Sequence, residues 1–169
     1  LFDLLNAGRP VRKLGVLYSK MNEESVSPLL GRLRQAGFNV QDLAMNEAPI
    51  LEDVFRAVEK QGFDAILILP CSPMANPYRL RYAITECVRT GIIPVAGDPS
   101  LVSEGVVCAV SPGIKGVVRD ALALARSAVA SGRLEKGLRW SSACVRIVNR
   151  SAERAFGLSR PLPADQAID

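Results

Sequence analysis

Three apolar runs in this chain break off abruptly into small polar residues, and that pattern narrows the possible folds more than any other feature. Leu14-Gly15-Val16-Leu17-Tyr18 gives way to Ser19-Lys20-Met21-Asn22. Ala65-Ile66-Leu67-Ile68-Leu69-Pro70 gives way to Cys71-Ser72-Pro73-Met74-Ala75-Asn76, and Ile92-Ile93-Pro94-Val95-Ala96 to Gly97-Asp98-Pro99-Ser100. Short continuous apolar runs mark buried parallel strands, because helices cover both faces of such a sheet. Ligands of open α/β sheets sit beyond the carboxyl ends of the strands, so the three breaks are where function is expected.

The segments between the runs read as helices. Asn76-Pro77 predicts a helix start, with asparagine capping and proline in the first helical position. Leu80, Ala83, Ile84, Cys87 and Val88 then share one face, and Gly91 follows. The same reasoning puts helix starts at Ser27-Pro28 and Ser111-Pro112. The first carries Leu29, Leu30 and Leu33 up to Gly37; the second carries Val117, Val118, Ala121, Leu122, Ala125 and Val129 up to Gly132. Leu51, Val54, Phe55 and Val58 form an i, i+3, i+4, i+7 stripe ended by Gly62. Strands are expected at 13–18, 39–43, 65–69, 92–95 and 106–110, with a last one at 139–148 and a short helix at 151–156. Strict alternation with short loops predicts an α/β fold: a doubly wound parallel sheet with right-handed crossovers and a flavodoxin-like strand order. A length of 169 residues suggests one domain, regular over 1–132, with the closing strand, short helix and tail in 133–169.

Composition closes several functional routes. Lysine and arginine number 21 against 17 acidic residues, a net charge of +4, yet the basic residues are scattered without aromatic interleaving. They read as solvated faces, not as a nucleic-acid surface. Histidine is absent, which removes the usual general base and the commonest metal ligand. Cys71, Cys87, Cys108 and Cys144 form no Cys-x-x-Cys pair, which argues against a zinc cage and a disulfide scaffold alike. No metal or cofactor is expected. No apolar run approaches the roughly 20 residues that span a bilayer. The chain opens on Leu1-Phe2-Asp3 without methionine or signal peptide and is expected to be a processed or excised piece.

Four constellations can carry chemistry. Ser19 and Asn22 offer a hydroxyl and an amide to a small polar ligand, or form an ordinary polar loop with a helix cap. No Gly-x-Gly-x-x-Gly accompanies them, so a dinucleotide site is not indicated. Cys71 can be read as a nucleophile, since cysteine-dependent racemases place cysteines in loops of related α/β lobes. A reactive thiol needs a positive or basic neighbour, and the nearest in sequence is Arg79. Ser72 and Asn76 share that loop, and Asn76 can cap, contact a ligand, or do both. Asp98 can pair with a ligand amino group or simply start a turn. Ser111-Pro112-Gly113 opens the long helix, and backbone N–H groups at a helix start attract anions. Trp140, the only tryptophan, is expected to pack on the last strand.

The order of these pieces carries a family resemblance. The segment Arg12-Lys13-Leu14-Gly15-Val16-Leu17-Tyr18, preceded by Leu4-Leu5, and the pairing of Gly91-Ile92-Ile93-Pro94-Val95 with Glu104-Gly105-Val106-Val107 both contribute. Most specific is Val145-Arg146-Ile147-Val148-Asn149-Arg150-Ser151-Ala152-Glu153-Arg154-Ala155-Phe156-Gly157-Leu158, followed by Pro163-Ala164-Asp165-Gln166-Ala167-Ile168. Together they resemble the second half of ABC-transporter substrate-binding proteins of the tryptophan/tyrosine-binding-like type, which have the type I periplasmic binding fold. The likeness covers nearly the whole chain but only about half of that architecture, in which two lobes trap a small ligand. It implies that Ser19, Asn22, Ser72, Asn76 and Asp98 form one wall of a cleft, with the helix start at Ser111 as an addition. It further implies non-covalent binding of an amino-acid-like solute, no catalysis, and a periplasmic or extracytoplasmic setting. The implied partner is an ABC-transporter membrane component or a fused receptor. Pro73, Pro77 and the Cys71-Ser72 pair depart from the family pattern. A lone lobe exposes a face, so a dimerising sensor or interaction domain is the alternative, ahead of a racemase-like cysteine enzyme.

Overall fold

The computed structural model describes residues 10–46, 50–133, 144–158 and 161–169. Its sheet has seven strands: β1 (Lys13–Ser19), β2 (Asn39–Met45), β3 (Ala65–Ile68), β4 (Ile93–Ala96), β5 (Cys108–Pro112), β6 (Cys144–Asn149) and β7 (Gln166–Ile168). The helices are α1 (Glu23–Gln35), α2 (Leu51–Gln61), α3 (Pro77–Thr90), α4 (Ile114–Ser131) and α5 (Arg150–Ala155). The strand order is β2-β1-β3-β4-β5-β6-β7. Strands β1 to β5 run parallel, which meets the expected flavodoxin-like order. The sheet is not wholly parallel, however: β6 pairs antiparallel to β5, and β7 then runs parallel to β6. Strand β7 falls in what the sequence suggested was only a tail. The expected residues 139–143 of the last strand lie outside the described residues, as do Trp140 and most of 133–138.

Alternation along the strands sorts the core into two layers. Leu14, Val16 and Tyr18 face a cluster with Val26, Leu30 and Leu33 of α1 and with Leu162 of the tail. Leu17, Ile66 and Ile68 face a second cluster with Leu51, Phe55 and Val58 of α2 and with Leu80, Ala83, Ile84 and Cys87 of α3. Full burial of one such side chain contributes about 1.5–3 kcal/mol. Gly15 marks the tightest point between β1 and β2, where an added Cβ would stand 2.7 Å from Leu43 Cδ1. Helices α2 and α3 end as expected at Gly62 and Gly91, both in the left-handed conformation that glycine adopts at least cost.

Two expected helix starts are displaced. Helix α1 begins at Glu23, and Pro28 lies inside it as the sixth residue. A 3-10 turn, Lys20–Asn22, runs directly into the helix, and Glu23 and Glu24 in its first turn complement the helix dipole. Helix α4 begins at Ile114, with Gly113 in the cap position making no side-chain cap bond. Ser111 and Pro112 remain in the sheet because β6 pairs alongside them, Ser111 opposite Val145 and Pro112 opposite Cys144. The apolar stripe of α4 joins neither core cluster: Ile114 is 83% exposed and Val129 86%.

Candidate functional site

The carboxyl ends of β1, β3 and β4 lie side by side, and the polar residues that follow them share one edge of the sheet. The backbone ties these ends together. Leu69 N donates to Leu17 O at 3.0 Å, and Gly97 N donates to Ile68 O at 3.3 Å.

Ser19 closes β1 and is buried, and its Oγ accepts a 3.3 Å hydrogen bond from Met21 N. The hydroxyl therefore organises the turn at the first break. Asn22 caps α1 by position only, without a side-chain hydrogen bond, and is exposed to solvent. Tyr18, one residue before the edge, is fully buried, and burial pushes its phenol pKa above the ordinary value, with Asp42 and Glu23 adding to the shift.

Ser72 opens a 3-10 turn, Ser72–Ala75, and is exposed. Asn76 caps α3 as expected: its Oδ1 accepts from Tyr78 N at 2.9 Å and from Arg79 N at 3.3 Å. Its amide nitrogen lies on an exposed residue, so capping leaves a donor for other work. Asp98 starts a third 3-10 turn, Pro99–Val102. Its Oδ1 accepts from Ser100 N at 2.9 Å and from Ser100 Oγ at 2.8 Å, which fixes the carboxylate in place.

Ser111 lies near the carboxyl end of β5, the next parallel strand after β4. It is a half-buried strand residue and not the helix cap expected, since the long helix starts at Ile114 with Gly113 in the cap position. The structure thus brings Ser19, Asn22, Ser72, Asn76 and Asp98 to a common edge and assigns Ser111 to the sheet.

A concavity of about 440 Å³ opens at this edge, between the loops after β3 and β4 and the start of α3. Asp98 lines it, together with Leu69, Cys71, Leu101, Ser103 and Glu104. Ser103 and Glu104 were not among the site residues expected from the sequence, because the motif at 97–100 ended one turn too early to include them. Cys71 lines the concavity along with the carboxylates of Asp98 and Glu104, and a reactive thiol needs a positive or basic neighbour instead. Cys87 and Cys108 are fully buried, and desolvation pushes each thiol up to about 12, which fits their reading as small core residues.

The tail is tied to this region through Asn149. Its Nδ2 donates to Val102 O at 2.9 Å, and its Oδ1 accepts from Ala152 N at 2.9 Å. One buried side chain therefore joins the turn that carries Asp98 to the start of α5.

No family model and no curated protein matches this chain. Solved structures do. An ABC domain in complex with L-Trp from Streptococcus pneumonia is 17% identical with a TM-score of 0.67, over 99% of this chain and 59% of its own length. A conserved domain protein from Vibrio cholerae is 15% identical with a TM-score of 0.67, over 98% and 58%. The ligand-free, open structure of a substrate binding protein with adhesive properties from Clostridium difficile is 14% identical with a TM-score of 0.68, over 98% and 57%. This chain has their fold, and it spans less than three fifths of the length of each.

Proposed function

We propose that this chain is one lobe of a solute-binding protein and recognises a small polar, amino-acid-like molecule without catalysis. The observation that carries this reading is the common edge at which Ser19, Asn22, Ser72, Asn76 and Asp98 follow adjacent parallel strands, where α/β sheets bind ligands. Two substrate-complexed or substrate-binding structures share the fold over nearly the whole chain, which supports it. In this reading the five residues form one wall of a cleft and a second lobe supplies the other. The setting is extracytoplasmic, and the protein delivers its solute to an ABC-transporter membrane component or a fused receptor. Among the described residues no helix is long and apolar enough to cross a membrane.

The test is a thermal shift across a panel of amino acids and small polar metabolites. A ligand at about 100 times its Kd stabilises the native state by about 2.7 kcal/mol. At this chain length that corresponds to a Tm rise of about 5–11 °C. Asp98→Asn and Ser72→Ala should reduce the rise. A flat response of the natural full-length protein to the whole panel refutes the reading.

A second reading rests on α4. Val117, Val118 and Leu122 are 44%, 51% and 53% exposed, and the only buried residue of the helix is Gly116. A contiguous exposed apolar face marks an interaction surface, so a dimerising sensor or interaction module fits this helix. Sedimentation that stays monomeric at all concentrations removes the dimer form of that reading.

A further inference from the structure

The turn that carries Asp98 is held by a residue of the tail. Asp98, Leu101, Ser103 and Glu104 line the concavity at the proposed solute edge, while Val102 among them is buried in the core cluster of α2 and α3. The bonds inside the turn are local. Asp98 Oδ1 accepts from Ser100 N and Oγ, Leu101 N donates to Asp98 O at 3.2 Å, and Gly105 N donates to Val102 O at 3.3 Å. They fix the shape of the turn but not its place on the sheet. Val102 O also accepts the 2.9 Å bond from Asn149 Nδ2, 47 residues along the chain. Asn149 is buried and is itself anchored: its N donates to Val107 O at 2.9 Å and its Oδ1 accepts from Ala152 N. Capping α5 needs only an acceptor, and among the common cap residues only asparagine adds an amide donor.

We infer that Asn149 is a positioning residue for the solute edge. Through Val102 O it holds the turn in place, and so sets where the Asp98 carboxylate stands against Ser72 and Asn76 of the neighbouring loop. This rests on the reading of Asp98 as part of the solute wall. Asn149 does not line the concavity and acts only through the turn.

Asn149→Ser keeps an acceptor for Ala152 N but, with a shorter side chain and no amide, releases Val102 O. Glu153→Gln disturbs the tail at another point and leaves that bond in place, so it controls for general loosening. Solvent exchange of the Ser100 amide, whose N–H is held by Asp98 Oδ1, is read by NMR. Asn149→Ser should speed this exchange about tenfold, the scale of one hydrogen bond, and Glu153→Gln should leave it unchanged. A second arm measures Kd by calorimetric titration for whichever of the common L-amino acids raises Tm most. Asn149→Ser should weaken that binding about tenfold in the parent, but by less than about twofold in Asp98→Asn, because the tether acts through that carboxylate. Unchanged Ser100 exchange, an equal weakening in Glu153→Gln, or a full tenfold loss in the Asp98→Asn background overturns the inference. If no amino acid binds, the solute reading fails by itself, and Ser100 exchange still decides whether Asn149 holds the turn.

Discussion

Glu153 offers the sharpest test of how the carboxyl-terminal tail is held. Its residue is 6% exposed, yet it carries a charge within the layer that covers one face of the sheet. Its Oε2 accepts from Arg150 Nη1 at 2.7 Å, and its Oε1 accepts from Leu162 N. Arg150 Nη1 also donates to Leu162 O at 3.0 Å, which closes a three-residue ring around the tail. Leu162 is 1% exposed and belongs to the core cluster of β1 and α1, so the ring anchors a buried side chain.

Glu153→Gln keeps an acceptor for Leu162 N–H but removes the charge opposite Arg150. The loss of a charge-assisted bond is worth about 1.5–3 kcal/mol. The Arg150 side chain is 27% exposed, so water recovers part of this and the expected cost is about 1–2 kcal/mol. Glu153→Leu also orphans the buried Leu162 N–H, and the expected cost rises to about 3–5 kcal/mol, the range for breaking a buried pair. Urea unfolding followed by circular dichroism should show both variants with lower midpoints and unchanged slope. Limited proteolysis should show the tail cut earlier than the sheet in the leucine variant. If both variants lie within about 0.5 kcal/mol of the parent, or leucine costs no more than glutamine, the ring does not anchor the tail.

Other substitutions test the edge and the tail. Asn149→Ala removes the bonds to Val102 O and Ala152 N, and a loss of about 2–3 kcal/mol is expected by calorimetry. Asn76→Ala should cost about 1 kcal/mol, the usual price of a helix cap, read as a shifted urea midpoint. The side chain and backbone N–H of Arg146 hold the Asp165 carboxyl below its ordinary pKa. Its folded pKa therefore lies under the unfolded one, and its contribution is full above the ordinary carboxylate range and lost as pH falls through the lowered value. Asp165→Asn should lower Tm at neutral pH and converge with the parent in strong acid. Cys87 and Cys108, with thiols pushed up to about 12, should resist iodoacetamide at pH 8 until the protein unfolds, while Cys144 reacts in the native state.

Most elements between residues 13 and 96 were legible because they are specified locally. An apolar run too short for a helix, the stripe of Leu51, Phe55 and Val58, and the Asn76-Pro77 start all act within a few residues. The doubly wound core and the shared edge of Ser19, Ser72, Asn76 and Asp98 follow from that alternation. The displaced helix starts have different causes. At Ser27-Pro28, the turn capped by Ser19 had already begun a helix upstream, and the proline was carried inside it. At Ser111-Pro112, a cap signal gave way to pairing with β6, whose partner residues lie more than thirty positions later.

By itself, the sequence determined the strand–helix alternation, the breaks at the strand ends and hence the edge where ligand chemistry belongs, because those are short-range properties of side-chain pattern and backbone sterics. Only the tertiary structure decided the antiparallel turn of β6, the seventh strand and the placing of Ser111 within β5 instead of at a helix start. It alone revealed the concavity that joins Asp98 to Ser103 and Glu104, and the exposure of the apolar face of α4. These depend on which distant segments compete for the same backbone hydrogen bonds and the same apolar surface, and residues far apart in the chain meet that competition only in the folded state.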